Sequence, residues 1–180
     1  MKGMVFTEFL EFVERTWSPA MVDDLIDSCD LPSGGAYTSV GTYDHREMVK
    51  LVVALAARTG QPTDDVLHWF GTGLFTSLAT AFPVFVDEHR DAFSMLAGIE
   101  EVIHVEVRKL YPDAELPAFE ISRPDARTLV LDYRSPRCMD ALAHGLIDAC
   151  VLRFGGGVQV RRAPLGATHA DGSRFTLVQE

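Results

Sequence analysis

Cysteine is scarce in this chain. Cys29, Cys138 and Cys150 are the only three among 180 residues, and no two of them form a CxxC pair. An odd number without that spacing argues against a disulfide framework. A zinc site built from Cys138 or Cys150 with His144 or His169 is conceivable, but the spacing matches no established zinc pattern. Positive charge is also short: 16 Lys and Arg stand against 26 Asp and Glu, a net charge of -10. Such a surface repels phosphate backbones and anionic lipid, which excludes nucleic acid and membrane surfaces as expected partners. No apolar run approaches the roughly 20 residues of a membrane helix. The opening MKGMVFTEFLEFVERTW is broken by Glu8, Glu11 and Glu14, whereas a secretory signal has an unbroken apolar stretch. A cytoplasmic domain is expected. Internal repeats and low-complexity segments are absent as well.

What the chain does have is apolar residues, at 47% enough for one ordinary core. The first two-thirds reads as helices. Phe6, Phe9, Leu10, Val13 and Trp17 share one helical face. Ser18 caps a second helix with Pro19 at its first position, and Met21, Leu25 and Cys29 follow at intervals of four. LPSGGAYTSVGTY is loop by composition. Asp44 and Glu47 have the spacing of a capping box for a third helix, whose buried stripe is Met48, Leu51, Val52 and Leu55. Gly60 and Pro62 end it, and Thr63 is the expected cap of a fourth. That helix contains Gly71 and Gly73, which suit a kink, close packing or room for a flat ligand. One long helix is expected from about Asp91 to Leu110, ended by Pro112 and Pro117.

The period then changes. FEISR and TLVLDY alternate as strands do, with RPDA as a turn between them. A helix from about Arg137 to Phe154 stops at GGG, and VQVRRA with RFTLVQ forms a second hairpin with Gly172 in its turn. The expected fold is α+β. A helical N-terminal part, about residues 1–60, packs on the rest, about 61–180, which holds a four-stranded antiparallel sheet with a helix between its hairpins, all within a single domain 1–180.

DYRSPR places Tyr133, Ser135 and Arg137 two apart, so in extended backbone they share a face. Pro136 favours that conformation at Ser135. A planar guanidinium fork with two hydroxyls suits one or two carboxylates on a ligand, although a solvated strand end is the plainer alternative. Of six histidines, His45 and His169 read as exposed, and His68 and His89 sit among charged neighbours and look ordinary. His104 differs: it borders the apolar stripe of Leu96, Ile99, Ile103, Val107 and Leu110. It suits either a satisfied half-buried imidazole or a metal ligand. An iron-binding histidine with carboxylate donors on another segment points to haem, which joins one iron to two propionates.

On MKGMVF, IHVEVRKLYPDAELPAF and YRSPR, in that order, the chain resembles an H-NOX domain, the haem nitric oxide/oxygen-binding domain related to the haem region of soluble guanylate cyclase. The resemblance runs over essentially the whole chain and suggests a stand-alone bacterial member. It implies haem b (iron protoporphyrin IX) held by His104, propionates held by Tyr133, Ser135 and Arg137, and Pro117 pressing on the ring. It further implies that Val5, Phe9, Leu74, Leu78, Leu142 and Leu146 wall the gas pocket. Oxygen-holding members resemble this chain but carry a tyrosine where it has Leu142, so nitric oxide and carbon monoxide are the expected ligands. His144, about 200° around the helix from Leu142, faces away from that pocket. Some bacterial relatives carry a cysteine-rich zinc site near the C-terminus, but RRAPLGATHADGSRFTLVQE has no cysteine.

The resemblance implies a sensor rather than an enzyme. Nitric oxide loosens the iron bond to His104, and the signal passes in trans to a histidine kinase or a cyclic-di-GMP enzyme. A peroxidase would need polar acid and base groups over the iron, which the leucines do not provide. A haem-free interaction module that keeps the fold is the alternative.

Overall fold

The computed structural model describes residues 1–166 and 172–180. The helical part opens with α1 (Gly3–Thr16), α2 (Pro19–Ser28), α3 (His45–Thr59) and α4 (Thr63–Ala81). Ser18 caps α2 by accepting the Met21 N–H at 3.1 Å, with Pro19 at the first position. At α3 the expected capping box does not close. Asp44 accepts from the Arg46 N–H at 2.9 Å, but Glu47 turns inward, where its carboxylate accepts from Ser33 and Tyr37. A buried carboxylate needs donors, and the LPSGG loop supplies more of them than the helix end does. Thr63 is the first residue of α4 rather than its cap.

The expected long helix is three pieces. After a short α5 (Val84–Asp87), α6 (Ala92–Ala97) begins with a true capping box between Asp91 and Ser94. A π-helical turn over Ile99–Ile103 follows, and α7 (His104–Leu110) completes the run. In the π turn the Ile103 N–H reaches Gly98 O at 3.2 Å and the His104 N–H reaches Ile99 O, both five residues back.

The sheet is antiparallel with order β1-β2-β4-β3, from β1 (Ala118–Asp125), β2 (Thr128–Arg134), β3 (Val158–Pro164) and β4 (Ser173–Gln179). Tyr133 pairs with Phe119 on one side and Ser173 on the other. Between the hairpins runs α8 (Asp140–Arg153), shorter at its start than expected. The segment after β2 first folds into a turn: the Arg137 N–H donates to Ser135 Oγ, the Cys138 N–H to Ser135 O, and Cys138 adopts φ +50°. After α8 the glycines of GGG all take positive φ, which ends the helix.

Two apolar cores result. One gathers Phe6, Phe9, Val13, Leu51, Leu55 and Phe70 among α1 to α4; the other gathers Phe93, Leu131, Ile147, Phe175 and Leu177 between α6, α8 and the sheet. α4 serves both, and it crosses α8 at very close range. A Cβ on Gly145 would lie 2.1 Å from His68 O, and one on Gly71 would lie 2.3 Å from Leu142 O. Only glycine permits that approach. Of the two bare positions read in α4, Gly71 thus serves helix packing, while a Cβ on Gly73 would meet the Phe12 ring.

Candidate functional site

The close crossing of α4 and α8 leaves a cavity of about 340 Å³ between these helices, the α6–α7 run, the loop before β1 and the start of the chain. This size lies within the range of about 300–1,000 Å³ for sites that take small molecules. Of the residues singled out in the sequence, Val5, Leu74, Leu78, His104, Pro117, Tyr133, Ser135, Arg137, Leu142 and Leu146 all line it. Phe9 does not. It is wholly buried in the N-terminal core, edge-on to Phe70 with centroids 5.1 Å apart, so its helical face is right but it lies one layer too deep.

His104, 8% exposed, is the first residue after the π turn. Burial holds its pKa below the ordinary range, against the pull of Glu100. Nδ1 lies 3.2 Å from Glu100 Oε1, close enough for an ion pair but out of line for a hydrogen bond, and among the described residues no other atom bonds it. The same Glu100 oxygen accepts the Phe119 N–H at 2.7 Å, so one carboxylate joins the imidazole to the start of β1. Sequence reasoning missed Glu100, although its spacing of four before His104 is the signal of a shared helix face. The His104 and Phe119 rings stand 6.0 Å apart, and Phe119 meets Tyr133 edge-on at 5.4 Å.

At one end of the cavity Arg137 holds a carboxylate already. Nη2 donates to Glu115 Oε2 at 2.6 Å and Nη1 to Glu115 O at 2.7 Å. The Arg137 side chain is 10% exposed and that of Glu115 is 83% exposed, so the fork is fixed and its partner is free to leave. The α-amino group of Met1 is close enough to feel both charges; burial, first of all, lowers its pKa. Burial also raises that of Tyr133, with the Ser135 hydroxyl opposing.

The wall formed by α4 and α8 is apolar. Among the described residues its one polar side-chain atom is Sγ of Cys150, which faces Met95 Sδ at 3.6 Å. Burial pushes that thiol up to about 12, so it stays neutral. His144 does not line the cavity. Instead it meets two partners that the sequence did not suggest: His68 Nε2 lies 2.8 Å and His144 Nε2 lies 3.6 Å from Asp148 Oδ2. Burial, above all, lowers the pKa of His144. His68 is thus a paired residue rather than an ordinary surface one. Neither Cys138 nor Cys150 joins a group of potential metal ligands among the described residues, and His169 lies outside them.

The donor set fits haem. One buried imidazole with no good hydrogen bond on Nδ1 stands in an otherwise apolar cavity, and a guanidinium fork that demonstrably takes a carboxylate stands at its end with two hydroxyls. No helix among the described residues is long and apolar enough to cross a membrane.

Comparison with known proteins agrees. The haem-NO-binding family model matches residues 2–162. The fold superposes on the unliganded Fe(II) H-NOX protein from K. algicida with a TM-score of 0.94 at 36% identity, covering 100% of this chain and 97% of that one. For the H-NOX protein from S. oneidensis in the Fe(II)NO state the figures are 0.92, 29%, 100% and 99%. For the H-NOX from Shewanella woodyi, solved in solution in the Fe(II)CO state with IWP-051 bound, they are 0.85, 38%, 100% and 95%. No curated protein matches. A family model over most of the chain and two relatives above 30% identity lead to one conclusion: the chain belongs to the haem-NO-binding family, the H-NOX proteins.

Proposed function

We propose that this chain is a cytoplasmic, bacterial haem b sensor. It binds nitric oxide and carbon monoxide, does not hold oxygen stably, and signals in trans to a histidine kinase or a cyclic-di-GMP enzyme. It is a sensor and not an enzyme. The carrying observation is a single buried imidazole, His104, in an apolar cavity whose end holds Arg137, Ser135 and Tyr133. Bound haem supplies a ferrous iron that takes a diatomic gas. His104 would ligate that iron, with the Glu100 carboxylate 3.2 Å from Nδ1 as the nearest charged group. Arg137 would exchange the Glu115 carboxylate for a propionate, and the hydroxyls of Tyr133 and Ser135 would add donors. Pro117, which lines the cavity, would bear on the ring.

Gas choice follows from the opposite wall. Leu74, Leu78, Leu142 and Leu146 offer no hydrogen-bond donor, and Cys150 is neutral and turned to Met95. A polarised oxygen molecule gains nothing there, whereas nitric oxide and carbon monoxide need no donor. The same poverty of acid and base groups disfavours peroxidase chemistry. On nitric oxide binding His104 would release the iron, and α7, which carries it, would be free to shift; that shift would be the signal a partner reads.

Absorption spectra of the reduced protein test both halves. In air no oxygen-bound spectrum is expected to persist, and one that persisted would overturn the gas assignment. With nitric oxide a five-coordinate spectrum is expected, while a six-coordinate one would refute histidine release.

A further inference from the structure

The Gly71–Gly145 crossing also brings His68 of α4 against one face of α8, outside the cavity. His144 and Asp148 lie four residues apart on α8, so one turn presents both toward His68. The three donor atoms lie within 4.8 Å of one another. Asp148 Oδ2 is their hub, 2.8 Å from His68 Nε2 and 3.6 Å from His144 Nε2. A tetrahedral zinc-class ion with bonds of about 2.1 Å spaces its donors by about 3.4 Å, so side-chain shifts of about 1.4 Å or less make the set a ligand triad. The second of these distances is already longer than a hydrogen bond and near that spacing.

The imidazoles are held in place. The His144 ring packs on His68 with centroids 5.1 Å apart and on Phe175 of β4 at 5.7 Å. The side chains are 37%, 24% and 31% exposed for His68, His144 and Asp148, so an ion can enter and its fourth position can keep a water. Two imidazoles and one carboxylate suit zinc and its neighbours rather than calcium or magnesium, which prefer oxygen alone.

We propose that His68, His144 and Asp148 bind a divalent transition metal of the zinc class, which staples α4 to α8. The site stands apart from the haem reading, since none of the three residues lines the cavity. The metal would fix the spacing of the two helices that carry Leu74, Leu78, Leu142 and Leu146.

The test dialyses haem-loaded, chelator-stripped protein against micromolar zinc chloride and measures zinc and iron by elemental analysis. One zinc per chain is expected. Loss of an outer-shell partner costs about 10–100-fold in metal affinity, so His68→Ala and Asp148→Asn, which each remove a ligand, should cost at least that. Cys138→Ser, which removes the exposed thiol, should bind as the parent does. Asp148→Asn keeps the shape of the side chain, so it guards against a folding failure of His68→Ala. In the parent zinc should also raise the melting temperature in proportion to the logarithm of its concentration, and in Asp148→Asn it should not. No retained zinc, or zinc that survives both ligand substitutions, would refute the site and leave the haem assignment standing.

Discussion

The two walls of the cavity are built on opposite plans. One is formed by α4 and α8, regular helices of 19 and 14 residues that meet at bare glycines and turn leucines inward. The other is a six-residue helix, a five-residue π turn, a seven-residue helix and a loop stiffened by Pro112 and Pro117. Helices that short are marginal alone and lean on tertiary contacts. Nearly all the chemistry sits on the irregular side: His104, Glu100, Pro117, and the Glu115 that occupies Arg137. The regular wall is apolar and bears no free donor, while the irregular wall carries the polar groups.

Removing the polar centre of the irregular wall should have the largest effect. His104→Ala should purify without haem and recover its Soret band when imidazole is added. Haem retained without imidazole would place the iron ligand elsewhere, and no haem under either condition would favour the haem-free alternative. Next comes an attack on the regular wall. Gly145→Ala puts a methyl 2.1 Å from the His68 carbonyl, which backbone cannot yield. A stability loss of about 3 kcal/mol is expected in urea denaturation, at the upper end for overpacking. A loss below about 0.5 kcal/mol, the scale of surface substitutions, would show that the helices part freely.

Arg137→Ala removes charged hydrogen bonds worth about 1.5–3 kcal/mol. Haem affinity should fall about 10–100-fold by transfer to apomyoglobin, since each 1.4 kcal/mol is tenfold. An unchanged rate of transfer would mean that the propionates lie elsewhere. The smallest effect is that of pH. Burial depresses the pKa of His104 and His144, so the unfolded chain binds more protons than the folded one. Their contribution is intact above about 6.5, the unfolded value, and is lost as pH falls through the folded values. The urea midpoint of the haem-free protein should drop between pH 7.5 and 5.5, and a flat profile would contradict the burial of both rings.

The same contrast explains what could be read from the sequence. FEISR and TLVLDY alternate with period two and form β1 and β2, while Ser18 and Pro19 open α2. Tyr133, Ser135 and Arg137 do share the cavity, but the extended spacing read for them ends with β2 at Arg134, and the turn at Ser135–Cys138 brings Arg137 to it. The break at Ile99–Ile103 was not readable, since the stripe from Leu96 to Leu110 satisfies a helical period whether or not one turn is wide. Nor was the role of His68, whose partner lies 80 residues away and is reached only through the glycine crossing. Glu47 misled for a related reason: spacing proposes a cap, but the donors of Ser33 and Tyr37 outbid it.

The π turn carries a consequence of its own. Winding five residues where an α-helix would need four puts α7 about 100° out of step with α6. Winding the same residues as one even α-helix would turn the imidazole about 100° from where it stands, whereas removing one residue from Ile99 to Ile103 would straighten the run and leave its direction unchanged.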